Sequence, residues 1–486
     1  MAHIKELINK KISINLLYYI SSLSIILFIL FKQELKIFEF AKYELILFVL
    51  VFILSIYFES IRENTFLKIL IVHCFIFYII AIPYSIFNSD DNILYKRNIN
   101  SSQLPDSILI LCYQYFVLFF SIYLINPTIN FSLKKTKLNE INFLLNLLIF
   151  LSIANLTFNT FGKIDYNSYL KFFAIFFNIF NSSRIVFTFT VLIFLVYVSK
   201  NKIYNLPPKT ILFYAIYLID TSIAGSRSSI FFLVLILILC CVYYLNFKNL
   251  KISNLLVIFM LGFISTIGFY ISTIIRGYKY LHAYGTDISI MKEYNNFHDF
   301  LKNWFLHNQF EIILTLMDRI SYFDFYLEKL INFKYYEQFI NLSYYYKPLL
   351  DRITPGFDLY NVPLASKIIQ ESFYKQFFKE NNLGIFKPTI TNSEQITIFA
   401  ESHILFGFYS IFYYLIIFYL LKILLNFLTK INNYVFLQVL NMTILLLFFD
   451  WVTGFGMDFA IMLTLYHLIF LLFIFFILRV RLILKK

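Results

Sequence analysis

The sequence predicts an all-α polytopic integral membrane protein with about 12 transmembrane helices. Of its 486 residues, 60% are hydrophobic and only 14% are charged, and the mean hydropathy is +0.73. A soluble domain normally carries about 25% charged residues, so this chain lacks the polar surface that soluble cores need. Its apolar residues form blocks of roughly 15 to 25, close to the ~20 with which an α-helix crosses the hydrocarbon. Outer-membrane barrels are excluded, because their strands alternate polar and apolar residues over about 10 positions.

Twelve apolar blocks are long enough to span, nine before a long polar interval and three after it. In chain order they are Asn15–Phe31, Leu45–Phe58, Phe66–Phe87, Ile108–Asn126, Ile141–Phe161, Arg184–Ser199, Ile211–Ala224, Ser228–Leu245, Leu255–Ile275, Ile396–Leu421, Tyr434–Trp451 and Phe459–Leu478. The second and seventh are short, and the sixth could begin near Leu170. We therefore predict transmembrane helices 1 to 9 in residues 1–275, a large exported loop in residues 276–395, and helices 10 to 12 in residues 396–486.

Lysine and arginine in the short loops predict the orientation, because cytoplasmic loops are enriched in both residues. When the spans are threaded alternately, one side receives Lys5, Lys10, Lys11, Arg62, Lys68, Lys134, Lys135, Lys137, Lys200, Lys202, Lys209, Lys248, Lys251, Lys422, Lys430, Arg479, Arg481, Lys485 and Lys486. We therefore expect both termini in the cytoplasm, with the first helix acting as an uncleaved signal anchor. The net charge of +13 is assigned to lysines that face anionic lipid, and no nucleic-acid partner is expected.

The interval from Arg276 to Glu394 falls on the exported side and is far longer than an ordinary connection. Within it, apolar residues step by three and four, as in an amphipathic helix, at Leu306, Phe310, Ile313, Met317, Ile320, Phe323, Leu327 and Leu330. A second, weaker run is Ala365, Ile369, Phe373 and Phe377. Both runs lack the continuous apolar sequence of a span, so we expect them to lie on the outer leaflet and roof the membrane helices.

The arginines have an unusual distribution, since six of the nine fall on the exported side: Arg97, Arg184, Arg227, Arg276, Arg319 and Arg352. Arg227 lies between the seventh and eighth spans and Arg276 ends the ninth, so their guanidiniums should emerge at a similar depth. A guanidinium holds phosphate through a planar, bidentate fork, and ionisable groups at membrane depth are functional candidates by default. The alternative is that these side chains reach lipid phosphates or pair with carboxylates such as Asp220 and Asp287.

Glu401 is the carboxylate singled out by its position, at the predicted outer mouth of the tenth span. There it could serve as a general base or as the salt-bridge partner of an arginine, and the sequence leaves both roles open. His403 lies two residues on, about 200° around a helix, so the two side chains cannot face one site, and Glu401 is preferred. The loop carboxylates that could also deprotonate a hydroxyl are Asp318, Asp324, Asp351 and Asp358.

No metal or cofactor is expected from the sequence. The four cysteines lie inside apolar blocks without C-x-x-C spacing, and no His/Cys cluster has the spacing of a zinc site. P-loop, Gly-rich dinucleotide and G-x-S-x-G motifs are absent from the sequence. Energy coupling through bound ATP is therefore not supported.

Several motifs follow one another along residues 211–421, under half of the chain. They are the Gly225-Ser226-Arg227 turn between two spans, Arg276-Gly277 at the start of the large loop, Arg319 with Asp324, Lys347-Pro348 with Arg352-Ile353-Thr354-Pro355, and Glu401 followed by Phe406-Gly407. Together they resemble the O-antigen or oligosaccharide repeat-unit polymerases of the Wzy type. The proline segment departs from that family, whose more usual pattern is Pro-Arg followed by Trp-Pro.

This resemblance implies a GT-C-like membrane glycosyltransferase that polymerises repeat units at the outer face of a bacterial inner membrane. The donor would be a growing glycan on undecaprenyl diphosphate, and the acceptor a single repeat unit on the same lipid. Arg227 and Arg276 would stabilise the diphosphate leaving group while Glu401 deprotonates the attacking hydroxyl. Substrate binding would fall to Arg184, Arg319, Arg352, Asp324 and His403. The implied partners are undecaprenyl-diphosphate-linked glycans, membrane lipid and a chain-length regulator protein.

Two other functions remain open. An O-antigen ligase shares the arginine chemistry but differs in its acceptor, and its family typically has a histidine-asparagine pair in the exported loop. His307-Asn308 is such a pair, although it precedes the amphipathic run with Arg319 instead of standing just before the span with Glu401. A lipid-linked oligosaccharide flippase also has many spans and basic cavity residues, but it has no need of so long an exported loop.

Overall fold

The computed structural model describes residues 14–32, 35–62, 64–87, 101–129, 138–161, 208–224, 398–430, 434–453 and 467–473, with a few isolated positions in other segments. The regular elements in these ranges are helices, and no strand occurs within them. The predicted all-α class is therefore confirmed for this part of the chain.

The α-helices of the described part are, in chain order, α1 (Ile14–Phe31), α2 (Lys42–Ile61), α3 (Thr65–Cys74), α4 (Ala81–Phe87), α5 (Leu104–Ile125), α6 (Leu138–Phe161), α7 (Pro208–Ala224), α8 (Ile398–Phe406), α9 (Ser410–Leu428) and α10 (Tyr434–Thr453). Within the described ranges, four helical runs are long and apolar enough to cross a membrane: Phe38–Ile61, Thr65–Ile86, Leu104–Ile125 and Ile398–Leu428. Shorter apolar helices accompany them, so the chain is a helical membrane protein. The count of 12 spans stays a prediction, because the sixth, eighth and ninth lie almost wholly outside the described residues.

The central helix is α5, which packs against α2 along one side and α9 along another. Pro105 lies in its first turn, where the missing backbone donor costs nothing, and Asp106 places negative charge at the positive end of the helix dipole. Asn126 ends the helix in the left-handed conformation, with φ of 51°. The amide of Asn64, just before α3, donates to the side-chain oxygen of Asn126 over 2.8 Å.

Basic side chains gather at the Ile125 end of α5. Arg62 donates to the carbonyl oxygen of Tyr123 over 3.0 Å, and Lys422 donates to that of Ile125 over 2.8 Å. The last carbonyls of a helix have no partner within the helix and carry partial negative charge, so both contacts are favourable. Arg62 and Lys422 therefore lie at one end of the bundle, in agreement with the assignment of their loops to one side. That this side faces the cytoplasm stays a prediction.

The other end of α2 contacts a residue from the predicted exported loop. The ring of Phe323 lies 6.1 Å from that of Phe38 and 6.5 Å from that of Phe48. Phe323, Leu327 and Leu330 are all helical and fully buried in the apolar core. These three positions of the predicted amphipathic run thus pack into the bundle, deeper than a helix lying only on the membrane surface would.

The third predicted span contains an irregular turn. Between α3 and α4, residues Phe75–Ile79 form a π-helical segment, closed by a hydrogen bond of 2.9 Å from the N–H of Ile80 to the oxygen of Phe75. Pro83 explains this, because its ring clashes with the carbonyl four residues earlier, at Ile79, and interrupts regular helical bonding there. Single π-helical turns of this kind occur frequently at functional sites.

Two predicted spans differ from the helices observed. The short second span, Leu45–Phe58, is the complete 20-residue helix α2, because the polar residues that flank the apolar block also join the helix. The tenth span, predicted as one helix over Ile396–Leu421, consists of α8, a 3-10 turn at Gly407–Tyr409, and α9. The prediction of one unbroken helix is wrong there, because Gly407 adopts φ of 55°, outside the range of a right-handed helix.

Candidate active site

The break at Gly407 lies beside the middle of α5. The Nε2 atom of Gln114 donates to the oxygen of Gly407 over 3.2 Å, and the hydroxyl of Tyr113 donates to the oxygen of Phe408. Gln114 follows Leu104 by ten residues and precedes Ile125 by eleven. At 1.5 Å per residue it is about 15 Å from each end of α5, which is half the ~30 Å hydrocarbon thickness.

The short helix α8 crosses α5 instead of running along it. Near its start, the ring of Phe399 lies 6.0 Å from that of Tyr115, while just past its end Gly407 accepts from Gln114. A nine-residue helix is about 13 Å long, so a helix parallel to α5 would contact residues about nine positions apart. Its two ends instead contact neighbouring residues of α5. We call Gln114, α8, Gly407 and Trp451 the mid-depth layer.

Gln114 is the polar centre of this layer. Its Oε1 accepts from the hydroxyl of Ser402 over 3.0 Å, and its Nε2 lies 3.4 Å from Nδ1 of His403, in addition to its bond to Gly407. Gln114 and Ser402 are fully buried. Buried polar groups at such depth are costly unless they are paired, and these amide and hydroxyl groups satisfy one another.

Tyr414 of α9 connects the second part of the broken span to the first. Its hydroxyl shares a hydrogen bond with the hydroxyl of Ser402 and lies 3.4 Å from the oxygen of Ile398. Ser402 in turn donates to Gln114, so hydrogen bonds run from α9 through α8 to α5. The angle between the two parts of the span is therefore fixed by side chains on three helices.

Glu401 is buried in the mid-depth layer, with 1% of its surface exposed. Its Oε2 accepts a hydrogen bond of 3.1 Å from Nε1 of Trp451, on α10. The indole is itself 5% exposed and lies 6.0 Å from the ring of Tyr413 and 6.2 Å from that of Tyr414. A carboxylate removed from water is thus held by a donor from another helix.

The π-helical segment lies against the same layer. The ring of Tyr78 is 5.7 Å from that of Phe399, at the start of α8. The buried imidazole of His73, on α3, contacts the rings of Phe77, Tyr78 and Phe449. Neither nitrogen of this imidazole has a hydrogen-bond partner among the described residues. The π-helical segment therefore packs against the start of the helix that ends at the Gly407 turn.

The structure locates two of the predicted site residues. Glu401 does not lie at the outer mouth of a span, as expected, but in the buried mid-depth layer, because the turn at Gly407 redirects the chain across the bundle. His403 contacts Gln114 while Glu401 contacts Trp451, which agrees with their predicted opposite directions. The other candidates lie outside the described residues: Arg184, Arg227, Arg276, Arg319, Asp324 and Arg352.

Three contributors to the layer were not expected from the sequence. Gln114 stands as an amide within an otherwise apolar block, a signal that could have been used. Ser402 and Trp451 gave no comparable signal, because serine and tryptophan are ordinary residues of membrane helices.

No protein-family model, curated protein or solved structure matches this chain.

Proposed function

We propose that this chain is a membrane glycosyltransferase that joins lipid-diphosphate-linked oligosaccharide repeat units, with Glu401 as the general base. The observation that supports the proposal is the burial of Glu401 in a short transverse helix, where its carboxylate accepts from Trp451. Ionisable groups inside a membrane domain are rare and mark functional sites by default. The motifs that resemble the Wzy-type polymerases add the substrate class.

In the proposed reaction, an acceptor hydroxyl forms a new bond to the anomeric carbon of the donor sugar. The bond between that carbon and the lipid diphosphate breaks, and the diphosphate leaves with the electron pair. Glu401 accepts the proton of the attacking hydroxyl, a role that requires hydrogen-bond distance to the acceptor. A carboxylate fixed by a neighbouring donor does not have to reorganise when the hydroxyl arrives.

The leaving group requires positive charge. In the proposal, Arg227 and Arg276 hold the diphosphate through bidentate contacts, and Arg184, Arg319 and Arg352 contribute to substrate binding. The undecaprenyl chains of donor and acceptor occupy apolar surfaces between spans. No nucleotide is consumed, because the donor linkage itself supplies the leaving group.

Transport of the same lipid-linked glycans is the second candidate function, and the broken span favours it. Discontinuous helices at the bilayer midplane form substrate and ion sites in many transporters. The turn at Gly407 and the π-helical segment at Phe75–Ile79 both lie beside the middle of the bundle. A carboxylate at that depth would then serve a proton relay instead of a base for sugar transfer.

The two functions are separated by one reconstitution. Purified protein in liposomes receives lipid-diphosphate-linked repeat units without nucleotide, and both glycan length and transbilayer movement are measured. The polymerase proposal expects a ladder of longer lipid-linked glycans, suppressed by Glu401→Gln. Glu59→Gln is the matched control, because Glu59 is also a buried carboxylate but interacts with Asn15 and Lys68 instead of with the mid-depth layer. Movement of an authenticated repeat unit without elongation would establish transport and refute the polymerase.

A further inference from the structure

We propose that Trp451 is a positioning residue for Glu401, an inference that rests on the proposed function. The contact is direct, since Nε1 of the indole donates to Oε2 of the carboxylate over 3.1 Å. The two residues lie on helices α10 and α8, 50 positions apart in the chain. An indole nitrogen can only donate, so the carboxylate oxygen of Glu401 must be the acceptor in this hydrogen bond.

The indole is itself held in place. Tyr413 and Tyr414, adjacent residues at the start of α9, both lie against it, with interplanar angles of 80° and 58°. The hydroxyl of Tyr414 is bonded to Ser402, the residue next to Glu401. The positions of Trp451 and Glu401 therefore both depend on α8 and α9. The indole cannot move far without disturbing the hydrogen bonds of the mid-depth layer.

The contact decides which way the carboxylate points. A glutamate side chain has three rotatable bonds, and its terminal torsion is broad and gives little orientation of its own. A hydrogen bond from a rigid donor restricts that freedom at Oε2. Because a displacement of about 1 Å can cost about 100-fold in rate, loss of the N–H should lower kcat by roughly 10- to 100-fold.

The N–H can be removed with little change in shape. The chain contains two tryptophans, Trp304 and Trp451, so in a Trp304→Phe background a tryptophan analogue enters position 451 alone. Benzothienylalanine replaces the indole N–H with sulfur and keeps the fused rings. The expected result is a fall in kcat for ladder formation with KM for the repeat unit nearly unchanged, because Trp451 orients the base and does not contact substrate.

A second measurement reports the contact without using activity. With 5-fluorotryptophan in the same background, Trp451 supplies the single ¹⁹F resonance. That resonance should shift in Glu401→Gln, which changes the acceptor from a carboxylate to an amide. It should stay in place in Glu59→Gln, which lies near the Arg62 end of the bundle. Trp451→Phe gives a third variant, which also removes the N–H but alters packing.

The outcomes distinguish this inference from the proposed function. A lowered kcat with benzothienylalanine, together with a fluorine shift in Glu401→Gln, supports the positioning role. A normal rate with benzothienylalanine, while Glu401→Gln abolishes the ladder, refutes the role of Trp451 and leaves the polymerase intact. An unshifted resonance in Glu401→Gln also refutes it. If the unmodified protein does not elongate repeat units, the proposed function fails and this inference fails with it.

Discussion

Replacement of Gln114 by leucine should destabilise the fold by about 2 kcal/mol, and the contacts of the amide explain this value. The hydroxyl of Ser402 keeps its contacts with Phe399 and Tyr414 after the change, so it is not left unpaired. The carbonyl of Gly407 loses the amide donor but keeps the backbone N–H of Ser410. Gln114 makes three side-chain contacts, to Ser402, Gly407 and His403, and such contacts between membrane helices average about 0.6 kcal/mol each, which gives about 2 kcal/mol.

The same substitution at Gln438 provides a matched control. Gln438 is fully buried in α10, and neither its Nε2 nor its Oε1 has a hydrogen-bond partner among the described residues. Gln438→Leu should therefore be neutral or stabilising, because no hydrogen bond is lost and an unpaired amide is removed. Gln114→Glu should destabilise at least as much as Gln114→Leu, since a carboxylate would be buried against the carbonyl of Gly407 with no donor between them.

Equilibrium unfolding in mixed detergent micelles, followed by far-ultraviolet circular dichroism, measures all three variants. The difference between Gln114→Leu and Gln438→Leu is more informative than either value, because both changes remove an amide and add the same apolar surface. Equal free energies of unfolding, within about 0.5 kcal/mol, would refute the claim that Gln114 fixes α8 across the bundle.

The other predictions concern single contacts and use the same unfolding measurement. Gly407→Ala should cost about 1–2 kcal/mol, because its φ of 55° disfavours a β-carbon although no atom lies within 4 Å of one, and Gly407→Asn should cost less. Asn64→Ala should cost about 1 kcal/mol or more, because the side chain caps α3 over 2.9 and 3.2 Å, and Asn64→Asp should retain this cap but lose the amide bonds to Asn126 and Pro127. A double-mutant cycle of Ser55→Ala and Tyr115→Phe, whose hydroxyls lie 2.8 Å apart, should give a coupling of about 0.6 kcal/mol. A cost for Gly407→Asn above that for Gly407→Ala, no loss for Asn64→Ala, or zero coupling would each contradict the corresponding argument.

The membrane helices could be predicted from the sequence because their signal is local. Blocks of apolar residues identified α1, α2, α5 and α10 within a few residues of their observed ends. The second span was underestimated, because Lys42 and Glu59 belong to the helix but end the apolar block. Hydropathy therefore gives the existence of a helix more reliably than its ends, where polar side chains reach the interface.

The direction of the chain after residue 397 could not be predicted in the same way. Residues Ile398–Leu428 form a run that is long and apolar enough to span, and one glycine changes its path. A glycine within a helix is tolerated, so Gly407 alone does not predict a left-handed φ. The contacts that stabilise the turn come from Tyr113 and Gln114, nearly 300 positions earlier. Hence Glu401, predicted at the outer mouth of the tenth span, lies buried inside the bundle instead, and its catalytic role stays a prediction.

The position of the mid-depth layer constrains the proposed reaction. In that reaction a sugar hydroxyl has to reach Glu401, whose neighbour Ser402 donates to Gln114, about 15 Å from the Leu104 end of α5. The polar groups at that depth are already paired with one another, through Gln114, Ser402 and Tyr414. In the proposed reaction, sugar hydroxyls, which both donate and accept, would replace these partners one for one, whereas an apolar lipid tail offers no such replacement. The proposal therefore expects the mid-depth layer to contact the sugar portion of the substrate and not its prenyl chain.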